Sequence, residues 1–300
     1  MMKANTYEMI GNTPLKTVKY GRSCIAFKLE QYNFLGSIKT RTAYYLVQSI
    51  IANKKKEHSG MTKICESTSG NLGIALDYFC KKENMEFLCL TDKSISANKI
   101  KKLMLHNVDF ELITAPSESE YREARIKRAE ELQKQGYIWT NQYDNDVAIL
   151  AHYETTGPEI YQQTKGKVTH LVCAMGTGGT IIGIGKYLKE KNADIQVIGV
   201  EPYGSTIFSE DEGVYITAGA GMKGTPGNIR KNPKIIDAYD VVNDKVSIVC
   251  CNELYNKYQL DVGITSGMAF FVAKKVALEY PNSYVVVVCP DGRSSYEEYL

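Results

Sequence analysis

Short apolar runs alternate along the chain with stretches in which apolar residues recur every three or four positions. Such runs are typical of buried strands, and the three-to-four spacing is typical of amphipathic helices. Strands alternating with helices predict an α/β fold of two doubly wound, mostly parallel sheets. The predicted strands are Ile25–Glu30, Lys63–Glu66, Phe87–Thr91, Phe110–Thr114, Tyr137–Asn141, His170–Ala174, Gln196–Glu201 and Tyr284–Cys289. The predicted helices are Thr40–Ala52, Ile74–Lys82, Asn98–Leu105, Ser117–Gln135, Ile181–Lys189 and a run that follows the loop Gly263–Met268 and ends at about Leu278.

The chain is longer than one average domain, and no internal repeat or low-complexity linker divides it. Its 300 residues predict one large or two moderate domains. We place the boundaries near Ile38 and near residue 147. Residues 1–37 and 148–300 then form a larger domain, and residues 38–147 form a smaller inserted domain.

Composition and charge exclude several classes of protein. The chain is 44% hydrophobic and 23% charged, which is ordinary for a soluble protein with a sizeable core. Its net charge of +2 argues against a dedicated nucleic-acid binder. No apolar stretch approaches the roughly 20 residues of a membrane span, and the N-terminus lacks the apolar core of a signal peptide. We therefore expect a cytoplasmic protein. The four histidines lie far apart in the sequence and form no metal-ligand motif, so we expect no metal.

Lys39 lies where a predicted helix begins, after the turn residue Gly36 and the candidate N-cap Ser37. A helix N-terminus carries partial positive charge, which favours a lowered amine pKa at Lys39. A neutral amine is a nucleophile that can form a Schiff base. A solvated surface lysine is the common alternative, so this interpretation needs support from the rest of the chain.

Three loops before helices carry candidate binding groups. The stretch Glu66–Gly73 concentrates hydroxyls and backbone N–H groups without a cation, which suits a carboxylate. A capped turn without a ligand is the alternative for this loop. The glycine-rich stretch Met175–Thr180 precedes a helix and suits a phosphate, because glycines allow close approach of the backbone. The stretch Gly263–Met268 offers hydroxyls for one polar ligand atom. A nucleophilic lysine with a phosphate loop and a carboxylate loop indicates pyridoxal phosphate acting on an amino acid.

These motifs together resemble the cysteine synthase and cystathionine β-synthase family, whose members are fold-type-II pyridoxal-phosphate enzymes with a tryptophan synthase β-like fold. The resemblance extends over nearly the whole chain. It rests on Gly11-Asn12-Thr13-Pro14-Leu15, Gly36-Ser37-x-Lys39-x-Arg41, Thr68-Ser69-Gly70-Asn71, Thr155-Thr156-Gly157-Pro158-Glu159-Ile160, Gly176-Thr177-Gly178-Gly179-Thr180 and Pro290-Asp291-Gly292.

The resemblance implies a role for each motif. Lys39 would bind the cofactor aldehyde as a Schiff base, and Thr265 would face the pyridine nitrogen. The larger domain would bind the cofactor, the smaller domain would close over the substrate, and the protein would be a homodimer. The phosphate would bind to Gly176, Thr177, Gly178, Gly179 and Thr180. The substrate carboxylate would bind to Thr68, Ser69, Gly70, Asn71 and Gln142, and Asn71 would also contact the cofactor.

The implied reaction is β-replacement or β-elimination at Cβ of a cysteine-type amino acid through an aminoacrylate, with Lys39 as the base for the Cα proton. The mouth loop, defined as residues 219–233, resembles the family's loop at the active-site entrance and is longer. It favours a modified second half-reaction in which L-cysteine and water give L-serine and hydrogen sulfide. Asn232 would position the water. Two alternatives stay open: cysteine synthesis from O-acetylserine and sulfide, and synthesis of a diaminopropionate precursor from phosphoserine or acetylserine with glutamate. The second would need a basic pocket, for which Arg230 or Lys231 is a candidate.

Overall fold

The computed structural model describes residues 9–54, 61–68, 70–93, 95–117, 120–217 and 219–300. Over these ranges the chain alternates strands and helices as predicted. The strands are β1 (Leu15–Tyr20), β2 (Ser23–Leu29), β3 (Lys63–Ser67), β4 (Glu86–Asp92), β5 (Phe110–Ile113), β6 (Ile138–Trp139), β7 (His170–Ala174), β8 (Gln196–Pro202), β9 (Ala238–Val242) and β10 (Tyr284–Cys289). The helices are α1 (Lys39–Lys54), α2 (Asn71–Lys82), α3 (Ala97–Leu105), α4 (Tyr121–Lys134), α5 (Asp146–Ala151), α6 (Gly157–Gln163), α7 (Gly179–Lys191), α8 (Gly227–Arg230), α9 (Asp244–Tyr258) and α10 (Ile264–Glu279).

The described residues fall into two compact units. The larger unit lies within Met1–Ile38 and Tyr143–Leu300, and the smaller unit within Lys39–Gln142. The sequence analysis placed the second boundary five residues later, so residues 143–147 belong here to the larger unit. Closure of the smaller unit over a substrate stays a prediction.

The larger unit contains a six-stranded sheet in the order β1-β2-β10-β7-β8-β9. All its neighbours are parallel except the antiparallel edge pair of β1 and β2. Val285 and Val287 of β10 pack into one apolar cluster, and Val286 and Val288 pack into another. Both faces of the sheet are therefore covered, as parallel sheets require.

The smaller unit contains a four-stranded parallel sheet in the order β5-β4-β3-β6. Cys65 of β3 and Leu90 of β4 pack against Ala129 and Leu132 of α4 on one face. The prediction of two doubly wound, mostly parallel sheets is confirmed.

Each sheet has one point at which its strand order reverses. In the larger unit the chain runs from β7 out to β9 and then returns to β10 on the other side of β7. In the smaller unit it runs from β3 out to β5 and returns to β6 on the other side of β3. In open α/β sheets the crevice at such a point, at the carboxyl ends of the strands, is where ligands bind.

Several predicted elements differ from the structure. The predicted strand Tyr137–Asn141 is only two residues long, because Asn141 adopts a left-handed conformation that ends it. The sequence analysis missed β1 and β9, which lie at sheet edges and lack a long apolar run. It also missed the helical stretch from α5 to α6 and helix α9. Within the described ranges, no helix combines the length and hydropathy needed to cross a bilayer.

Candidate active site

Lys39 is the first residue of α1, and its side chain is half-buried. The turn that leads to it depends on Gly36, which has a φ of +73°. Gly36 donates its N–H to the Asn33 carbonyl at 2.8 Å. Only glycine adopts this left-handed conformation without steric cost, so the turn before Lys39 favours that residue.

The last residues before Lys39 are tied to the end of β10. Ile38 donates its N–H to the Pro290 carbonyl at 2.8 Å, and Ser37 forms an isolated β-bridge with Asp291. The Ser37 hydroxyl makes no hydrogen bond within the described part of the chain, so the predicted N-cap role of Ser37 is wrong. Backbone pairing with the residues after β10 therefore holds Ser37 and Ile38, which precede α1 in the chain.

The predicted phosphate loop lies between β7 and α7, at the reversal point of the larger sheet. Gly178 has a φ of +85°, and a Cβ on it would lie 2.5 Å from Cγ1 of Ile229. A Cβ on Gly176 would lie 3.0 Å from the Gly219 carbonyl oxygen. The loop leads directly into the first turn of α7, which begins at Gly179. The packing of the mouth loop therefore requires glycines here, and the backbone N–H groups lie at a helix N-terminus.

The hydroxyl of Thr180 meets a buried histidine. His152 Nε2 lies 3.3 Å from Thr180 Oγ1, and His152 Nδ1 lies 3.0 Å from Thr156 Oγ1. His152 begins a π-helical turn, His152–Thr156, between α5 and α6. Such turns are rare and frequently accompany functional sites. His152 therefore fixes the direction of the Thr180 hydroxyl.

Asn228 of α8 joins the phosphate loop to the segment that follows the smaller unit in the chain. Its Nδ2 donates to the Thr177 carbonyl at 2.9 Å, and its Oδ1 accepts from the Asn145 N–H at 2.9 Å. Its own N–H donates to the Tyr143 carbonyl at 3.1 Å. Asn228 is fully buried, so loss of its amide would leave buried polar groups unpaired.

Thr265 lies in the first turn of α10, and 1% of it is exposed. Its hydroxyl makes no well-formed hydrogen bond within the described residues, although the Tyr296 hydroxyl is near enough for Thr265 to affect its pKa. Burial and the nearby Asp291 carboxylate raise the pKa of Tyr296 well above its usual value. A buried hydroxyl without a well-formed bond is rare in folded proteins, and such an oxygen is able to pair with a polar ligand atom.

The predicted carboxylate loop lies between β3 and α2, at the reversal point of the smaller sheet. Asn71 is the first residue of α2, and Gly70 is its N-cap. Thr68 is buried and donates its N–H to a β4 carbonyl. A Cβ on Gly73 would lie 3.1 Å from both the Cys89 Sγ and the Thr68 Cγ2. Close packing therefore fixes the loop where it enters the helix.

Gln142 is buried at the end of the smaller unit, two residues beyond Thr140. Its Nε2 donates to the Ser67 carbonyl at 3.0 Å, and its N–H donates to Glu66 Oε2 at 3.2 Å. Thr140 also donates its hydroxyl to Glu66 Oε2. The carboxyl ends of β3 and β6 are joined by these bonds. Ser69, which was also predicted to bind substrate, lies outside the described residues.

Asn232 follows α8, and its side chain caps the end of that helix. Its Nδ2 donates to the Asn228 carbonyl at 2.7 Å, so one side of its amide is already used. The neighbouring Lys231 forms an ion pair with Asp144, which raises the pKa of Lys231. Arg230 is exposed.

Comparison with known proteins identifies the family. The sequence profile of the family described as "Pyridoxal-phosphate dependent enzyme" matches residues 7–291. Cysteine synthase B of Campylobacter jejuni is 31% identical over 96% of this chain and 95% of its own length. The chain belongs to this family of pyridoxal-phosphate-dependent enzymes.

Other relatives agree in sequence and fold. A cystathionine β-synthase of Apis mellifera is 34% identical over 96% of this chain, which spans 59% of that relative's length. An O-acetylserine dependent cystathionine β-synthase from Helicobacter pylori has a TM-score of 0.91, with 30% identity, 99% of this chain and 98% of that chain covered. A hydrogen sulfide-producing enzyme from Fusobacterium nucleatum has a TM-score of 0.88, with 30% identity, 98% of this chain and 99% of that chain covered.

The residues present fit pyridoxal phosphate, the cofactor of the family. The phosphate loop offers backbone N–H groups at a helix N-terminus, where added side chains would clash with the mouth loop. Thr265 offers a buried hydroxyl for one ring atom. Lys39 offers an amine at a helix N-terminus.

The structure distributes the predicted site residues of this pyridoxal-phosphate enzyme over both units. In each unit they lie at the carboxyl ends of the strands beside the reversal point or at a helix N-terminus, except Asn232, which follows α8. Those of the larger unit are Gly176, Thr177, Gly178, Gly179, Thr180, Asn232 and Thr265, and those of the smaller unit are Lys39, Thr68, Gly70, Asn71 and Gln142.

The sequence analysis assigned no role to His152, Asn228 or Glu66. Asn228 was part of the mouth loop, but nothing in its sequence context indicated its bonds to the phosphate loop. His152 lacked a metal-ligand spacing, and only the structure shows its contact with Thr180. Glu66 was visible as an acidic residue at the end of an apolar strand, which is a signal for a buried carboxylate. Among the described residues, no group of three or more His, Cys, Asp or Glu side chains is placed to hold a metal ion.

Proposed function

We propose that this protein catalyses β-replacement on a cysteine-type amino acid and releases hydrogen sulfide, with L-cysteine and water giving L-serine. In this reaction the Cβ–S bond breaks and a Cβ–O bond forms. One water is consumed, one hydrogen sulfide is released, and no net oxidation occurs. The observation that carries the proposal is the likeness, over almost the whole of both chains, to the hydrogen sulfide-producing enzyme of Fusobacterium nucleatum.

Bound pyridoxal phosphate would supply an electron sink that makes the Cα proton of the substrate acidic. Lys39 would hold the cofactor aldehyde and then remove the proton from Cα, since an amine released by the substrate is a suitable general base. The hydroxyl of Thr265 would meet the ring nitrogen. A hydroxyl is a weak acid and would leave that nitrogen largely unprotonated. This favours loss of a group from Cβ over long-lived negative charge at Cα.

The carboxylate loop would orient the substrate. Thr68, Ser69, Gly70 and Asn71 precede or begin α2, whose N-terminus favours negative charge. Gln142 lies at the adjoining end of β6, where its amide is held by Ser67. These neutral groups would bind the carboxylate of the amino acid by hydrogen bonds.

The second half of the reaction depends on how water reaches Cβ. Asn232 would position that water with Oδ1, because its Nδ2 already donates to the Asn228 carbonyl. An amide cannot remove a proton at neutral pH, so Asn232 acts by orientation only. The test compares Asn232→Ala and Asn232→Asp with L-cysteine as the only substrate: both lose the donor that caps α8, but only Asp keeps a side-chain oxygen to position the water. An unchanged serine yield in Asn232→Ala would remove Asn232 from the proposal.

The experiment that tests the function uses two incubations of the holoenzyme. In the first, L-cysteine is the only substrate, and we expect equal amounts of L-serine and sulfide. In the second, O-acetylserine and sulfide are supplied, and the cysteine formed is measured. Net cysteine synthesis in the second incubation with no serine in the first would contradict the proposal and favour the cysteine synthase alternative.

The diaminopropionate alternative would show as an adduct when glutamate is added to O-phosphoserine or acetylserine. It needs free positive charge near the mouth loop. Lys231 is paired there with Asp144, which reduces the charge available to a second amino acid. We expect no adduct, and mass spectrometry of the products checks this.

We also propose that the protein is a cytoplasmic homodimer, as the resemblance implies. Light scattering on the purified holoenzyme checks the assembly, and a mass near 33.6 kDa, that of one chain, would contradict it.

A further inference from the structure

Glu66 is a fully buried carboxylate at the carboxyl end of β3. Its Oε2 accepts hydrogen bonds from the Thr140 hydroxyl and from the Gln142 N–H. Its Oε1 makes no well-aligned hydrogen bond within the described residues, although Trp139 and the Ser67 backbone lie near enough to lower its pKa. A buried carboxylate held only by neutral donors is costly when ionised, and such groups are commonly retained for a role in function.

The contacts of Glu66 fix the place of Gln142. Asn141 has a φ of +42° and turns the chain after β6, so that the Gln142 N–H points back to Glu66. The Gln142 side chain then donates to Ser67, the residue next to Glu66. The carboxylate therefore sets the position of Gln142 relative to the loop that begins at Thr68.

The surroundings of Glu66 raise its pKa from the acidic range to neutral pH. Burial raises the pKa of Glu66 to about 7, against the opposing effect of its hydrogen bonds. Cys89 on β4 is the register partner of Glu66 and lies on the same face of the sheet, whereas Cys65 lies on the face that α4 covers. Burial raises the pKa of each thiol to about 12, so neither supplies charge. Arg128 and Arg125 of α4 lower the pKa of Cys65 and of Cys89, respectively, whereas the groups that lower the pKa of Glu66 are neutral donors of Thr140, Gln142, Trp139 and Ser67.

We propose that Glu66 is a positioning residue for the amino-acid substrate: its ionised carboxylate holds Gln142 in place to bind the substrate carboxylate, and its protonation releases Gln142. Hydrogen bonds to an ionised acceptor are about twice as strong as those to a neutral one, so the hold on Gln142 weakens when Glu66 gains a proton. Substrate affinity then falls as the pH drops through neutrality. The inference rests on the substrate-binding role given to Gln142 above.

The test measures the affinity of the holoenzyme for L-alanine, which has the amine and carboxylate of the substrate but no leaving group on Cβ. The change of the cofactor absorption on titration with L-alanine gives a dissociation constant at each pH from 5.5 to 8.5. Ionisation of L-alanine and of the cofactor affects every variant equally. The ratio of the dissociation constant of Glu66→Gln to that of the wild type therefore reports the effect of Glu66 ionisation alone.

We expect this ratio to change several-fold with pH, with a midpoint near 7, because only the wild type has a titrating group at position 66. Asp77→Asn is the matched control: Asp77 is a buried carboxylate in the same unit with a raised pKa, but its hydrogen bond goes to Lys81. Its ratio to wild type is expected to stay constant. A ratio for Glu66→Gln that is equally constant overturns the inference.

Thr140→Val keeps the inference testable if Glu66→Gln does not fold. It removes a hydrogen bond that lowers the pKa of Glu66. The midpoint of the pH dependence of L-alanine binding should therefore lie at higher pH in Thr140→Val than in the wild type. An unmoved midpoint counts against Glu66 as the titrating group.

Gln142→Ala distinguishes the substrate-binding role of Gln142 from the positioning role of Glu66. If it leaves L-alanine affinity unchanged, the substrate-binding role of Gln142 fails and the inference fails with it. If it weakens binding while the Glu66→Gln ratio stays flat, the proposed role of Gln142 stands and only the inference about Glu66 fails.

Discussion

The phosphate loop of the larger unit and the carboxylate loop of the smaller unit occupy equivalent places in their sheets, and they are held by different chemistry. Each lies at the carboxyl end of a strand beside the reversal of strand order. The backbone of the phosphate loop is fixed by glycine packing and by the neutral amide of Asn228. Beside the carboxylate loop, Thr140 and Gln142 donate to Glu66, a buried carboxylate whose pKa burial raises to about 7.

Under the proposed roles of the two loops, this difference separates retention of the cofactor from control of substrate binding. An amide has no charge to gain or lose between pH 5 and 9, so the Asn228 bonds persist over that range. A buried carboxylate with its pKa near 7 changes its hydrogen bonds within that range. We therefore expect cofactor affinity to vary less with pH than substrate affinity does.

The largest expected effect tests whether both loops serve one reaction. Lys39→Ala should lower turnover by roughly a thousandfold or more, because it removes the amine proposed both to hold the cofactor and to act as the general base. Steady-state assays of sulfide release measure it. Lys63→Ala is the control, since Lys63 is half-exposed and pairs with Glu86 across the sheet surface. Turnover retained in Lys39→Ala would end the assignment of the site.

Gly178→Ala breaks the phosphate loop alone. Its Cβ would lie 2.5 Å from Ile229 at a φ of +85°. Overpacking and left-handed strain together cost about 3 kcal/mol, so pyridoxal-phosphate affinity should fall on the order of a hundredfold. Titration of the apo-protein with pyridoxal phosphate measures this. Gly136→Ala has similar strain at φ +90° but meets no atom within 4 Å, and should leave the affinity unchanged. Equal effects of both would refute the role of packing.

Glu66→Gln tests the other loop through stability. The folded-state pKa of Glu66, about 7, lies above its ordinary value of 4.5. In the wild type, the contribution of Glu66 to folding stability is therefore fully present below pH 4.5 and is lost as the pH rises through 7. Relative to wild type, Glu66→Gln should gain on the order of 3 kcal/mol between those limits, since one pH unit corresponds to about 1.4 kcal/mol. Urea unfolding at pH 4.5, 6 and 8 checks the trend. A difference that is independent of pH would contradict it.

Asn228→Ala gives the smallest effect and sharpens the comparison. It removes the bonds to the Thr177 carbonyl and the Asn145 N–H, and the loss of a buried pair of this kind costs about 1–3 kcal/mol. Pyridoxal-phosphate affinity should fall roughly tenfold, by the same amount at pH 6 and pH 8. Asn243→Ala is the control, because Asn243 caps α9 and should affect stability alone. If Asn228→Ala lowered pyridoxal-phosphate affinity by different amounts at pH 6 and pH 8, the two loops would not differ in pH dependence as proposed.

Much of the fold could be predicted from the sequence, because local patterns of apolar and polar residues indicate most of its strands and helices. β7 and β10 were predicted at their observed bounds, since each is a buried apolar run bordered by polar residues. The edge strand β1 was missed because half of its residues are exposed and no apolar run marks it. The helix around His152 was missed because its three-to-four pattern is interrupted by a π-helical turn.

The sequence by itself determined which groups are presented: a lysine at a helix start, a glycine loop after a buried strand and a hydroxyl loop after another. These are local arrangements, in which neighbouring residues decide the backbone conformation and the groups that are presented. Tertiary structure alone decided what holds those groups. Glu66 meets Gln142 across 76 positions of the chain, and Asn228 meets Thr177 across 51. Such contacts depend on strand order and on loop packing, which no local pattern encodes.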